Sequence, residues 1–178
     1  MVSSAPLQPA NLLGALALGV VDRLDASLDA TVGRSQSAAA ALSALDQFLN
    51  APGIDRLAQV LGLTQSGAVR LVDRLARDGY VRRAPGADGR SVAVRLTTAG
   101  RRAARRVREQ RLELLEELVS SLDEDEQAAF AALAGRLLAA MMREPGAVRW
   151  TCRLCDVHAC GRPDGLCPLE QEARRRYG

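Results

Sequence analysis

One run, Ile54 to Gly100, constrains the fold of this 178-residue chain more than any other. It reads as a fixed order of elements, each with its own start and stop. Ile54 to Val60 is a short helix, and Gly62 closes it, because a left-handed residue after a helix carries least strain when it is glycine. Leu63 crosses the turn. Thr64 stands where a side-chain oxygen caps a second helix, which runs to Asp78 before Gly79 ends it. Tyr80 to Arg83 and Ser91 to Leu96 alternate as strands, with Ala84 to Arg90 as the turn between them. Thr97 or Thr98 caps a long helix from Ala99 to Leu122. Helix, turn, helix, hairpin, helix is the order of a winged helix-turn-helix.

The flanks are helical. Leu12, Leu16, Val20, Leu24 and Leu28 repeat every four residues in a helix over Asn11 to Ala30, and an Ala-rich helix spans Ser35 to Leu49. Asp123 caps a further helix through Phe130, Leu133 and Leu137 to Met142, with Glu124, Asp125 and Glu126 in the first turn that favours them. With 48% hydrophobic residues and 3% aromatics, the chain favours helix over sheet. The expected fold is therefore mainly α with a small β-hairpin: a winged helix-turn-helix plus a helical dimerisation region. The divisions are 1–50 (N-terminal helices, the first for dimerisation and the second for support), 51–100 (the winged helix-turn-helix), 101–145 (C-terminal dimerisation helices) and 146–178 (a Cys-rich tail).

Charge separates along the chain. Ile54 to Arg111 carries 14 arginines against 5 acids, whereas Leu112 to Pro145 carries 2 against 8. A basic middle beside an acidic helical segment suits one surface for a polyanion and another for something else. Val69, Leu71, Val72 and Leu75 give the second helix of the pair a buried face, leaving Gln65, Ser66, Arg70, Arg74 and Arg77 outward or at its leading end. Gln and Arg pair bidentately with purine edges, and Ser meets a base or a phosphate. Gly67 and Ala68 are small enough for the backbone to approach a groove closely. The basic start of the long helix (Arg101, Arg102, Arg105, Arg106, Arg108) falls near phosphates in such a docking. Arg90, at the hairpin tip, has the charge to enter a minor groove. Asp88 beside it holds an arginine in place by a charge-assisted hydrogen bond.

The run IDRLAQVLGLTQSGAVRLVDRLARDGYVRRAPGADGRSVAVRLTTAG resembles the DNA-binding core of the MarR family of bacterial regulators, most closely in LAQVLGL, SGAVRLVDRL, GYVRR and DGR followed by VRLTTAG. The resemblance spans about Asn11 to Met142. It implies that Arg90 reaches a minor groove, that Asp88 orients a nearby arginine, and that Gln65, Ser66 and Arg70 meet bases. It also implies double-stranded DNA as a partner, a homodimer on a palindromic operator, repression, and release by a small-molecule effector held between the dimer and DNA-binding regions.

The tail is different. Cys152-x2-Cys155-x4-Cys160-x6-Cys167 packs four thiols into one short segment, with the chain's one histidine, His158, inside it. A CxxC pair grips one tetrahedral ion and two more thiols close its shell, so a structural zinc on the four cysteines is the leading expectation, with His158 as a substitute ligand. An iron–sulfur cluster and a redox sensor forming reversible disulfides are the alternatives; reduced, part-buried cysteines are the plain one. As a metal- or redox-responsive sensor, the tail would be the switch of the regulator. Trp150 is expected to pin the tail to the helices, Arg174 to Arg176 to end a solvated helix, and the tail to lie near the dimer end, away from DNA.

The opening residues carry no secretory pattern and no run spans a bilayer, so the expectation is a cytoplasmic protein without a membrane partner. No nucleophile–base pair suggests an enzyme.

Overall fold

A computed structural model describes residues 7–32, 36–86, 91–142 and 147–178. Eight helices and two strands follow in the order α1 (Gln8–Val32), α2 (Gln36–Gln47), α3 (Ile54–Leu61), α4 (Gln65–Arg77), β1 (Val81–Pro85), β2 (Val92–Leu96), α5 (Thr98–Val119), α6 (Glu124–Met141), α7 (Ala147–Thr151) and α8 (Pro168–Tyr177). The fold is mainly α with one two-stranded antiparallel sheet. β1 runs further than the sequence suggests. Ala84 and Pro85 stay in the ladder opposite Ala93 and Val92. Proline is tolerated there because a two-stranded sheet has only edges.

The caps fall where the sequence places them. The Thr64 hydroxyl accepts from Gly67 N at 3.1 Å, and Gly62 takes the left-handed conformation (φ 61°) after α3. Asp123 and Glu126 form a reciprocal capping box at the start of α6. Thr97 does more than cap α5. Its hydroxyl accepts from Gly100 N at 3.0 Å and donates to the Gly79 carbonyl at 2.6 Å, so one side chain ties the end of the wing to the turn before it. Gly100 is required by close approach: a Cβ there would stand 1.9 Å from the Tyr80 carbonyl oxygen.

The main core lies among α2, α3, α4, β1, β2 and the start of α5, built from Leu42, Leu57, Val60, Leu71, Val72, Leu75, Val81, Val94 and Ala104. In α2 every residue from Ala38 to Ala44 is buried, a run no amphipathic pattern would give. It is possible because all of those side chains but Leu42 are alanine or serine, so α1, α3 and α5 all approach α2 closely. On α4, Ala68 is fully buried in this core and Val69 only half-buried, reversing their expected roles. Ala68 therefore packs inward and does not give a groove close access.

The apolar stripe of α1 is not core. Leu28 is buried, but Leu12, Leu16 and Leu18 are 59%, 51% and 69% exposed. On α6, Leu133 and Met141 are 56% and 68% exposed.

The tail folds into α7, a series of turns, and α8, which begins at Pro168 where a missing N–H costs nothing. Its location corrects the expectation of a tail away from the DNA-binding region. α7 packs on α3 and α8 on α6, so the tail runs from the helix-turn-helix brace to the last long helix.

Candidate nucleic-acid interface and cysteine cluster

On α4 the residues Ser66, Arg70, Arg74 and Arg77 follow one another at three- and four-residue steps. All are exposed, with Gln65 at the exposed leading end. Opposite them, Ala68, Leu71, Val72 and Leu75 are sunk in the core, so packing fixes which face of α4 is offered. Gly67 has a local reason to be small: a Cβ there would lie 3.1 Å from the Thr64 hydroxyl that caps the helix. Asp88 and Arg90 lie outside the described residues. On β1, Arg83 Nη2 lies 2.8 Å from Asp73 Oδ1 and links the strand to α4.

The hairpin register sets Arg82 directly across from Arg95, both exposed. Like charges face to face destabilise a strand pair, and a polyanion relieves that. The sequence reading missed this pair. Its trace was present, since Arg82 and Arg95 each neighbour a buried valine, but only the turn length fixes which residues oppose each other. With Arg101, which donates to the Leu96 carbonyl at 3.3 Å, they line a cleft of about 260 Å³ that also holds Asp46.

Of the basic start of α5, Arg101, Arg102, Arg105 and Arg106 are exposed, but Arg108 is partly buried. It lies 2.8 Å from Asp46 and 3.1 Å from Asp156, with about three quarters or more of each side chain out of water. That network joins α2, α5 and the tail.

The tail has two further anchors. Gln47 at the end of α2 donates to the Cys155 carbonyl at 2.6 Å and accepts from Val157 N at 2.8 Å. Trp150 lies over Gly62, where any Cβ would come within 2.4 Å of its ring, and the Arg153 guanidinium stacks 3.9 Å above that ring. Trp150 thus pins the tail as expected, onto the turn between α3 and α4.

Cys152 and Cys167 are buried, Cys155 and Cys160 partly so, and all four belong to one small cluster with Met142, Val148 and Leu169; none is in a disulfide. Cys155 raises the pKa of its neighbour Cys152, and Cys167 that of Cys160. As free thiols they differ. Cys152 and the nearby Arg111 and Arg162 guanidinium groups draw Cys155 down to about 6, against its burial. Burial and Cys167 push Cys160 up to about 11. His158 is exposed and lies outside the cluster. Among the described residues, no three His, Cys, Asp or Glu side chains stand as a ready-made metal site.

Comparison with known proteins agrees with this architecture. The sequence profile of the MarR family matches residues 33–91, which takes in α2, the helix-turn-helix and most of the hairpin. Over those residues the chain is similar to the MarR family. A MarR family protein from Bacillus stearothermophilus superposes with a TM-score of 0.69 at 23% identity, over 80% of this chain and 99% of its own. MepR, a transcription regulator of the Staphylococcus aureus multidrug efflux pump MepA, gives 0.65 at 19% identity over 75% and 98%. A MepR variant bound to an oligodeoxyribonucleotide gives 0.55 at 20% over 75% and 97%. These MarR-like folds are covered almost whole, whereas a fifth or more of this chain lies outside each match. No curated protein matches the sequence. No helix among the described residues is long and apolar enough to cross a membrane.

Proposed function

We propose that this chain is a transcription regulator that binds double-stranded DNA sequence-specifically, as a homodimer on a palindromic operator, and represses. The observation that carries this reading is the exposed stripe Ser66, Arg70, Arg74 and Arg77 on a helix whose other face is locked in the core. A helix of that width fits the major groove, and arginine reads guanine there. Arg82, Arg95, Arg102 and Arg105 supply phosphate contacts, and Arg90, oriented through Asp88, reaches the minor groove. The exposed leucines of α1 and α6 meet their equals in a second copy, since each gains about 1.5–3 kcal/mol on full burial. A small-molecule effector has a polar cleft to enter beside Arg82, Arg95 and Arg101.

The test is enrichment of binding sites from a pool of random duplexes, followed by anisotropy titrations over a range of salt. A two-fold symmetric motif with half-sites about one helical turn apart is expected. Arg70→Ala should lose about 1–3 kcal/mol and relax choice at one position; Arg102→Ala should weaken all sequences alike and lower the salt slope by about 1. A pool that ends as random as it began would refute the reading. Repression is checked by a reporter placed behind the enriched site.

A second reading, in which the tail is the regulator's sensor, is favoured by the Gln47 hydrogen bonds and the Trp150 contact that join it to α2 and the α3–α4 turn. Operator affinity measured with and without chelator or peroxide separates the two.

A further inference from the structure

The segment from Cys152 to Cys167 contains no regular secondary structure after the end of α7. It is a chain of turns, two of them through left-handed glycines, Gly161 (φ 63°) and Gly165 (φ 73°). Its enclosed side chains are chiefly the four thiols, with Leu154 packed against the main core. So small a knot buries too little carbon to hold a unique shape, and such segments are usually stapled by a disulfide or a metal. No disulfide is present.

Arg162 adds a second observation. Its Nη2 is fixed 2.7 Å from Glu170 at the start of α8, yet its Nη1 is buried without a hydrogen-bond partner. The same guanidinium lies within electrostatic reach of Cys155 and Cys160. A buried N–H of a cation is costly to leave unpaired, and a thiol sulfur is a weak acceptor. Four thiolates around a divalent ion carry a net charge of −2, which is the acceptor this donor lacks.

We propose that Cys152, Cys155, Cys160 and Cys167 together bind one zinc ion, and that Arg162 donates to its thiolate shell. Binding releases the protons the thiols still carry, changes no oxidation state and needs no other reactant. The four cysteines already share one small cluster, and the ion would draw their sulfurs together there. His158, exposed and outside the cluster, takes no part. The site does not depend on whether the chain binds DNA. Its consequence reaches the helix-turn-helix all the same, because the backbone of Cys155 and Val157 is held by Gln47.

The experiment uses the full chain purified in reductant. Elemental analysis should find about one zinc per chain. Replacement by cobalt(II) should give the visible absorption of a tetrahedral thiolate site, and titrating zinc back should bleach it. Cys160→Ser and Cys167→Ser should each abolish the cobalt spectrum, while His158→Ala leaves it unchanged. Arg162→Leu should keep the spectrum and weaken metal binding about 10–100-fold, as loss of an outer-shell partner does. Should a cysteine variant fail to fold, stripping the intact chain with chelator and restoring zinc gives the same reading through the return of protease resistance in the tail. Iron with inorganic sulfide, a mass deficit showing paired disulfides in the reductant-purified chain, or four freely reacting thiols with under a tenth of an equivalent of metal would each overturn the proposal.

Discussion

The winged helix and the tail are held by different means. Between α2 and β2, Leu42, Leu57, Val72, Leu75 and Val94 are almost wholly out of water, so burial of carbon alone accounts for that region's cohesion. The tail packs Val148, Leu169 and Met142 around four thiols, sets Leu154 against the main core and Trp150 over Gly62, and is tied further by polar anchors: Gln47, Asp156 with Arg108, and Arg162 with Glu170. A region built on apolar area tolerates the loss of any single polar contact. A region built on polar anchors loses its shape with one of them. The comparison also bears on control, since the part more easily released is attached to the part that carries α4.

Three substitutions break or sharpen that contrast. The largest effect belongs to Leu75→Ala. It is 1% exposed in the main core, and its loss should cost about 2–5 kcal/mol, read as a lower denaturation midpoint for the whole chain with one transition. A small effect, or a transition confined to the tail, would mean that the winged helix is not the cohesive unit. Gln47→Ala comes next. Leaving the Val157 N–H and Cys155 carbonyl unpaired should cost about 1–3 kcal/mol, but locally, as faster hydrogen exchange over residues 147–167 with α4 unchanged. If α4 exchanges faster as well, the seam transmits more than its contacts suggest. The smallest is Thr64→Ala, which removes the cap on Gly67 N and should cost about 1 kcal/mol. Because that cap sets the first turn of α4, the same variant should exchange faster at residues 65–68 than elsewhere.

Much of the geometry of α3, α4 and the hairpin was legible beforehand because its signals are local. Thr64, Gly62 and Thr97 act on backbone groups within a few residues of themselves, and a cap or a left-handed stop needs no knowledge of the rest of the fold. The outward stripe of α4 follows from helical periodicity once the apolar face is identified. What failed was the fine assignment of small residues. Ala68 is as compatible with a core as with an exposed face, and only the neighbouring helices decide. Arg108 likewise looks like its basic neighbours on α5 until Asp46 and Asp156 are brought to it from far along the chain.

By itself the sequence determined the order of elements, their caps, the polarity of α4 and the gathering of four thiols in one segment, because periodicity and capping depend on near neighbours. Tertiary structure decided that all of α2 is buried, that Arg82 faces Arg95, that the apolar stripe of α1 stays outside the core, and that the tail sits on the α3–α4 turn. Each of those depends on which surfaces meet across long stretches of chain, and a pattern of neighbours carries no such information.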